Sequence, residues 1–119
     1  MTAAIRLGRV TLSRDVLEGR FGAAVDRFVR SRAGEYFYAQ INVPDDGDVL
    51  VGAAAILRRF GPALLSLAAD GVIGTPTLDL AFGFSPSLAT HSAVVPHHIA
   101  KIAGAFGIDL EISTYPTVE

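Results

Sequence analysis

The sequence predicts an α+β (α/β) fold, a two-layer sandwich with a mixed sheet of roughly four strands and helices on one face. Segments 36–43, 77–84 and 108–114 alternate apolar and polar residues with period two. Strand side chains point alternately to opposite faces, so each segment offers one apolar face. Stretches with helical apolar spacing separate these strands. We therefore expect one domain over residues 1–119, in the order β-α-β-α-β-α-β, with one sheet face uncovered.

The first strand is predicted over residues 3–12. Its apolar parity changes at Gly8, which indicates a β-bulge because one extra residue reverses the side chains that follow. Ser13 is a candidate N-cap for the first helix. That helix is predicted to continue to Gly34, because its apolar residues share one helical stripe. These residues are Leu17, Phe21, Ala24, Val25 and Phe28.

The second strand is predicted over residues 35–43, and Asp48 then caps a long amphipathic helix. Pro62 lies inside this helix and removes one backbone hydrogen bond, so we expect a kink or two separate helices. Gly71 fits the left-handed conformation that ends many helices.

The remaining elements follow in the same alternating order. The third strand is predicted over residues 75–84, and a loop rich in serine and proline follows over residues 85–94. Pro96 suits the first turn of the last helix. Gly107 ends that helix, and the final strand is predicted over residues 108–114.

Composition limits the cellular setting and the chemistry. The chain has no cysteine, which excludes disulfides and thiolate metal sites. Arg6 interrupts the position where a signal peptide needs an apolar segment, and no apolar run approaches the ~18 residues that span a membrane. We expect a cytoplasmic protein with no membrane partner. Since 50% of the residues are apolar and only 18% are charged, we expect a homodimer that hides apolar surface.

Charge is distributed unevenly along the chain. Residues 1–32 carry seven arginines against three acids, whereas the remainder carries nine acids against three basic residues. Nucleic-acid binding through the first-helix arginines Arg20, Arg27 and Arg30 is therefore one alternative function. A solvated helix face is the other interpretation, with Asp26 pairing with Arg30 one turn later.

The three histidines do not predict a metal site. His97 and His98 are adjacent on a predicted helix, so their side chains point ~100° apart and cannot share one ion without distortion. His91 lies in the preceding loop. We expect no metal and no cofactor.

Residues 48–116 carry a resemblance to a known family. A long helix ends in a glycine over residues 64–71, a loop contains Ser85 and Pro86, and a closing strand over residues 107–115 ends in tyrosine. In these parts the chain resembles the bacterial family known as domain of unknown function 4279. That family has no assigned reaction, so the resemblance implies no catalytic residue.

The uncovered sheet face is the candidate functional surface. We interpret it as the face of an interaction or ligand-binding module without catalytic activity, which contacts a second copy or another protein. Its acids would repel phosphate, so nucleic acid is an unfavourable ligand there. The enzyme alternative uses the carboxylates of this face together with a histidine. The candidate residues are Tyr36, Tyr38, Gln40, Asn42, Asp79, Asp109 and Glu111.

Overall fold

Eight elements follow one another along residues 1–117, the part of the chain that the structure, a computed structural model, describes. The α+β class with a mixed sheet is confirmed. The elements are β1 (Thr2–Val10), α1 (Arg14–Phe21), β2 (Arg27–Arg30), β3 (Phe37–Asn42), α2 (Val49–Ala69), β4 (Thr77–Phe84), α3 (His97–Ala105) and β5 (Asp109–Pro116).

The first helix is shorter than predicted, and the sheet gains a strand. Helix α1 begins after the N-cap Ser13 and ends at Phe21, because Gly22 adopts the left-handed conformation with φ 86°. Residues 27–30 form β2 instead of the second half of a helix, so the sheet has five strands rather than four. The Phe28 ring of β2 stacks on the Phe37 ring of the neighbouring strand β3, with ring centroids 4.7 Å apart.

Asp26 contacts the sheet instead of pairing with Arg30, so that predicted ion pair is wrong. Its carboxylate Oδ2 accepts a hydrogen bond from the Asn42 N–H at 2.7 Å. Its own N–H donates to the Gln40 carbonyl oxygen at 2.8 Å. Asp26 therefore fixes the start of the β2–β3 hairpin.

The strand order across the sheet is β2-β3-β1-β4-β5, which places the first strand of the chain at the centre. All neighbours are antiparallel except β4 and β5, which are parallel. The predicted bulge in β1 is confirmed. The pairing with β3 shifts between Leu7 and Val10, and Arg9 has a positive φ of 53°.

One face of the sheet is covered by all three helices. Ile5 and Leu7 of β1 pack there with Leu78 and Leu80 of β4, and all four are at most 1% exposed. The largest helix contribution comes from α2, whose inward side chains join this core, namely Ala53, Ala54, Leu57, Phe60, Leu64 and Leu67. Within residues 1–117, the opposite face carries no helix.

Helix α2 runs unbroken for 21 residues through Pro62, so the expectation of two separate helices is wrong. The Asp48 cap is confirmed, since its carboxylate accepts from the Leu50 and Val51 N–H groups at 2.9 and 3.3 Å. Within residues 1–117, α2 alone is long and apolar enough to cross a membrane, a test that core helices of soluble proteins also pass. Its inward face covers the sheet.

Candidate interaction face

The uncovered side of the sheet, called here the open face, is defined by strand parity. It consists of the even-numbered residues of β1 up to Arg6 and of β3, with the odd-numbered residues of β2, β4 and β5. The register supports this assignment. Gln40 of β3 lies between Arg6 of β1 and Arg27 of β2, and Asp79 of β4 lies beside Glu111 of β5. Side chains of paired residues point to the same face.

A charged cluster joins the central strands on the open face. The guanidinium of Arg6 contacts the Asp79 carboxylate at 3.0 Å and the Glu111 carboxylate at 3.6 Å. The Ser113 hydroxyl donates to the other oxygen of Asp79 at 2.7 Å. Asp79 is only 4% exposed, and a buried carboxylate requires such partners to offset its lost hydration. The cluster spans β1, β4 and β5.

Polar and aromatic side chains border this cluster on the β3 side. The Gln40 Nε2 atom donates to the Asn42 side-chain oxygen at 2.7 Å. Tyr38 is 50% exposed and lies opposite Val29, which is also exposed. The open face therefore carries an aromatic ring, amides and an apolar group beside its charges.

Two half-open depressions lie side by side on the open face and share Arg6 and Gln40. The first has a volume of about 350 Å³ and is also lined by Arg27, Val29 and Tyr38. The second has a volume of about 440 Å³. Its further polar lining comes from Thr2, Asn42, Asp45 and Asp79.

The structure brings most of the predicted face together and separates Tyr36 from it. Tyr38, Gln40, Asn42, Asp79 and Glu111 surround Arg6, while Asp109 lies at the beginning of β5 on the same face. The remaining member, Tyr36, directly precedes β3 and lies at the end of the sheet, beyond the register shift between β1 and β3.

Tyr36 lines a separate depression with Arg9, whose guanidinium carbon is 5.5 Å from its ring centroid. Its N–H donates to the Ser31 hydroxyl at 3.2 Å. Sequence reasoning instead missed Arg6, Arg27 and Val29 as members of the open face. Arg6 alternates with Ile5 and Leu7, so the period-two pattern already carried a signal for it. Arg27 and Val29 were missed because their segment was predicted to belong to the first helix rather than to a strand.

The histidines do not join the carboxylates of the open face. The His91 ring stacks on Phe84 at 4.4 Å, and that site is lined by residues of the helix-covered side. His97 and His98 begin α3, with their rings 6.5 Å apart and nearly perpendicular. Among residues 1–117, no group of three or more histidine, aspartate or glutamate side chains could hold a metal ion.

The arginines assigned to the first helix do not share a helix face. Arg20 is on α1 and forms an ion pair with Asp70 just after α2. Arg27 and Arg30 belong to β2, and the guanidinium of Arg30 lies over the Phe37 ring. The geometric basis of the predicted helical arginine surface is therefore wrong.

No family model, curated protein or solved structure matches the chain. The resemblance to domain of unknown function 4279 stays a prediction, and the open face is interpreted from its own residues.

Proposed function

We propose that the chain is a non-catalytic interaction module that binds a partner protein on its open face. The observation that carries this proposal is an uncovered five-stranded face on which exposed Tyr38 and Val29 lie beside amides and charges of both signs. Tyrosine and arginine are enriched where proteins contact each other, because they combine apolar area with hydrogen bonding.

The shape of the open face favours a protein over a small molecule. Small-molecule sites are concave and bury most of the ligand surface. Here the two depressions are half open to solvent and adjoin across Arg6 and Gln40. A protein surface that follows the twisted sheet can contact both depressions at once.

Charge on the open face indicates the chemistry of the partner. Arg27 lies on the β2 side and has no ion-pair partner among residues 1–117. Asp109 and the half-exposed Glu111 lie on the β5 side. A complementary partner presents carboxylates over β2 and basic groups over β5, since such matching accelerates association and excludes wrong partners.

The absence of catalysis in this proposal rests on the pairing of the carboxylates. Arg6 and Ser113 occupy both oxygens of Asp79, and Arg6 also contacts Glu111. General acid–base chemistry needs a group placed to exchange a proton with substrate. These groups instead contact each other, and the histidines lie elsewhere.

Site-specific photo-crosslinking in cells tests the proposal. A photoreactive phenylalanine replaces Tyr38 in one variant and Leu88, an exposed loop residue, in the control. We expect one defined protein to be captured at position 38 and not at position 88. That protein is then purified and titrated against the unmodified chain.

Charge reversal supplies the matched comparison in that titration. We expect Arg27→Glu and Tyr38→Glu each to weaken binding about tenfold or more, as for central interface residues. Arg58→Glu makes the same charge change on the exposed side of α2 and leaves affinity unchanged. Equal loss with Arg58→Glu, or identical capture at positions 38 and 88, would exclude the open face as the binding surface.

A further inference from the structure

Strand β5 ends the sheet, and no strand within residues 1–117 pairs with its outer backbone edge. The Asp109 N–H donates to Pro76 O at 2.9 Å, and the Thr117 N–H donates to Phe84 O at 2.8 Å, so these amides point towards β4. Successive residues of a strand direct their backbone groups to opposite sides. Leu110, Ile112 and Thr114 therefore point their N–H and C=O groups away from the sheet.

The same strand exposes apolar side chains on the helix-covered side. Ile112 is 53% exposed and Leu110 is 37% exposed, although both belong to the parity of β5 that faces the helices. Natural edge strands are usually short, bulged, charged, or interrupted by proline, which prevents uncontrolled pairing. Between Asp109 and Tyr115, β5 has no bulge and no proline, and its two charged residues, Asp109 and Glu111, lie on the open side.

We propose that a second copy of this chain covers this edge. Strand β5 pairs antiparallel with the β5 strand of the partner subunit, around a two-fold axis at Ile112. This proposal is independent of the binding function assigned to the open face. A second copy would cover the long, regular and partly apolar outer edge of β5.

The register follows from the outward backbone groups. With the axis at Ile112, this residue exchanges both hydrogen bonds with Ile112 of the partner subunit. Leu110 does so with Thr114 of the partner subunit, and Thr114 with Leu110 of the partner subunit. Every outward N–H of the three residues is then satisfied, and the two exposed isoleucines are in contact on the helix-covered side.

Charges on the open side favour the same register. Glu111 lies opposite Ser113 of the partner subunit, and Asp109 lies opposite Tyr115 of the partner subunit. An axis at Glu111 would place two carboxylates directly opposite each other, which is destabilising. An axis at Ser113 would separate the isoleucines and oppose Leu110 to Pro116 of the partner subunit, which has no N–H to donate.

The dimer would form one continuous ten-stranded sheet. A two-fold axis at an antiparallel strand pair is perpendicular to the sheet, so both open faces point to the same side. A partner with two copies of its binding site could contact both faces and gain avidity without any new contact.

Light scattering coupled to size-exclusion chromatography tests the proposal over a concentration series. We expect a wild-type dimer and, for Ile112→Lys, a folded protein whose dimer dissociates about tenfold or more readily. Val51→Lys makes a similar change at a 65% exposed site on α2 and retains the dimer. Thr114→Pro removes one outward donor without breaking a bond to β4, so it also weakens the dimer.

Amide hydrogen exchange on the wild type gives a second readout that needs no variant. We expect the amides of Leu110, Ile112 and Thr114 to exchange more slowly as protein concentration rises, while those of β2 stay unchanged. A monomer at every concentration would overturn the proposal. So would a dimer that Tyr38→Glu dissociates and Ile112→Lys does not, because that result places the second copy on the open face.

Discussion

Among residues 1–117, Asp79 is the one charged residue that the fold buries, and both of its carboxylate oxygens have partners from neighbouring strands. Arg6 of β1 contacts one oxygen and Ser113 of β5 contacts the other. These polar contacts link three strands on the side of the sheet that has no hydrophobic core. Asp79 therefore links these strands on the open face and also contributes negative charge to that face.

The two carboxylates that share Arg6 should contribute unequally to stability. We expect Arg6→Met to reduce the free energy of unfolding by about 1–3 kcal/mol, because it leaves the buried Asp79 without its cation. Glu111→Gln should cost less than about 1 kcal/mol, since both partners of that pair are 52% exposed and solvent screens the interaction. Urea unfolding followed by circular dichroism measures both values.

A double variant separates the ion pair from the rest of the arginine side chain. In an Asp79→Asn background, Arg6→Met should cost clearly less than in the wild type, because no buried charge is left behind. An unchanged cost in that background, or equal costs for Arg6→Met and Glu111→Gln, would contradict the role given to Asp79.

For individual residues, the sequence indicated which face of the sheet a side chain occupies, but not how deeply it is buried or which residues surround it. Alternation placed Asp79 and Glu111 on the polar side, as observed. The burial of Asp79 depends on β1 and β5 lying on either side of β4, and that order is not encoded within any single segment. Tyr36 lines a different depression from the other predicted residues, beyond the register shift of β1, and no local pattern indicated that shift's effect on β3.

Two glycines inside helices have opposite structural roles. Gly61 of α2 is buried, and a Cβ atom there would lie 2.2 Å from Cδ2 of Phe106, just after α3. A Cβ atom added to Gly19 of α1 would meet no atom of another element within 4 Å. Gly61 thus permits α2 and the end of α3 to approach closely, whereas Gly19 makes no such contact.

Alanine substitution should therefore change stability in opposite directions at the two sites. Gly61→Ala should destabilise by about 1–3 kcal/mol, because the base of the Phe106 ring must move. Gly19→Ala should stabilise by up to about 1 kcal/mol, the ordinary gain of alanine over glycine in a helix. Thermal and urea unfolding of the two variants provide the comparison.

The steric reason for the Gly61 effect can be isolated by removing the ring. In a Phe106→Ala background, Gly61→Ala should lose most of its cost. If the cost persists there, or if Gly61→Ala stabilises like Gly19→Ala, the close approach is not what requires glycine at this position.

Element prediction succeeded where periodicity and caps agreed and failed where one pattern fitted two structures. Helix α2 follows its predicted amphipathic pattern, with Asp48 and Gly71 acting as expected at its ends, and α3 begins at His97, directly after Pro96. Residues 24–28 also fitted a helical stripe, yet Arg27–Arg30 is equally compatible with a strand. Pairing with β3 decided the outcome, and a distant partner of this kind cannot be read from local spacing.

The order of strands creates a gradient of burial and of strand pairing from the centre of the sheet to its edge. Strand β1 is paired on both sides, and its Ile5 side chain is fully buried. Strand β2 has four residues, lies at an edge and is mostly exposed. Local opening of β2 breaks strand pairing with β3 alone and removes one partly buried core side chain, Phe28, whereas opening of β1 disrupts the centre of the core.

Native-state hydrogen exchange should reveal that gradient. We expect the Ile5 amide to exchange only through global unfolding, with an opening free energy equal to that from urea denaturation. The Val29 amide, which faces β3, should exchange through a local opening of clearly lower free energy and weaker denaturant dependence. Equal opening free energies at the two amides would show that the sheet opens as a single unit.

The general architecture was predictable, while the arrangement of its parts was not. Period-two strands between amphipathic helices predicted an α+β fold with a mixed sheet. The central position of β1 depends on two pairings made over long sequence separations, with β3 and with β4. Several strand orders satisfy the same alternation, so only the assembled sheet distinguishes them.

The central position of β1 also affects how the chain folds as it leaves the ribosome. This strand is synthesised first, but its second neighbour is complete only at Phe84. At roughly 5–20 residues per second, β1 waits about 4–15 s for β4 after its own synthesis. During that interval the apolar side of β1, with Ile5 and Leu7, lacks its final cover. The nascent chain therefore exposes this apolar side until β4 has been synthesised.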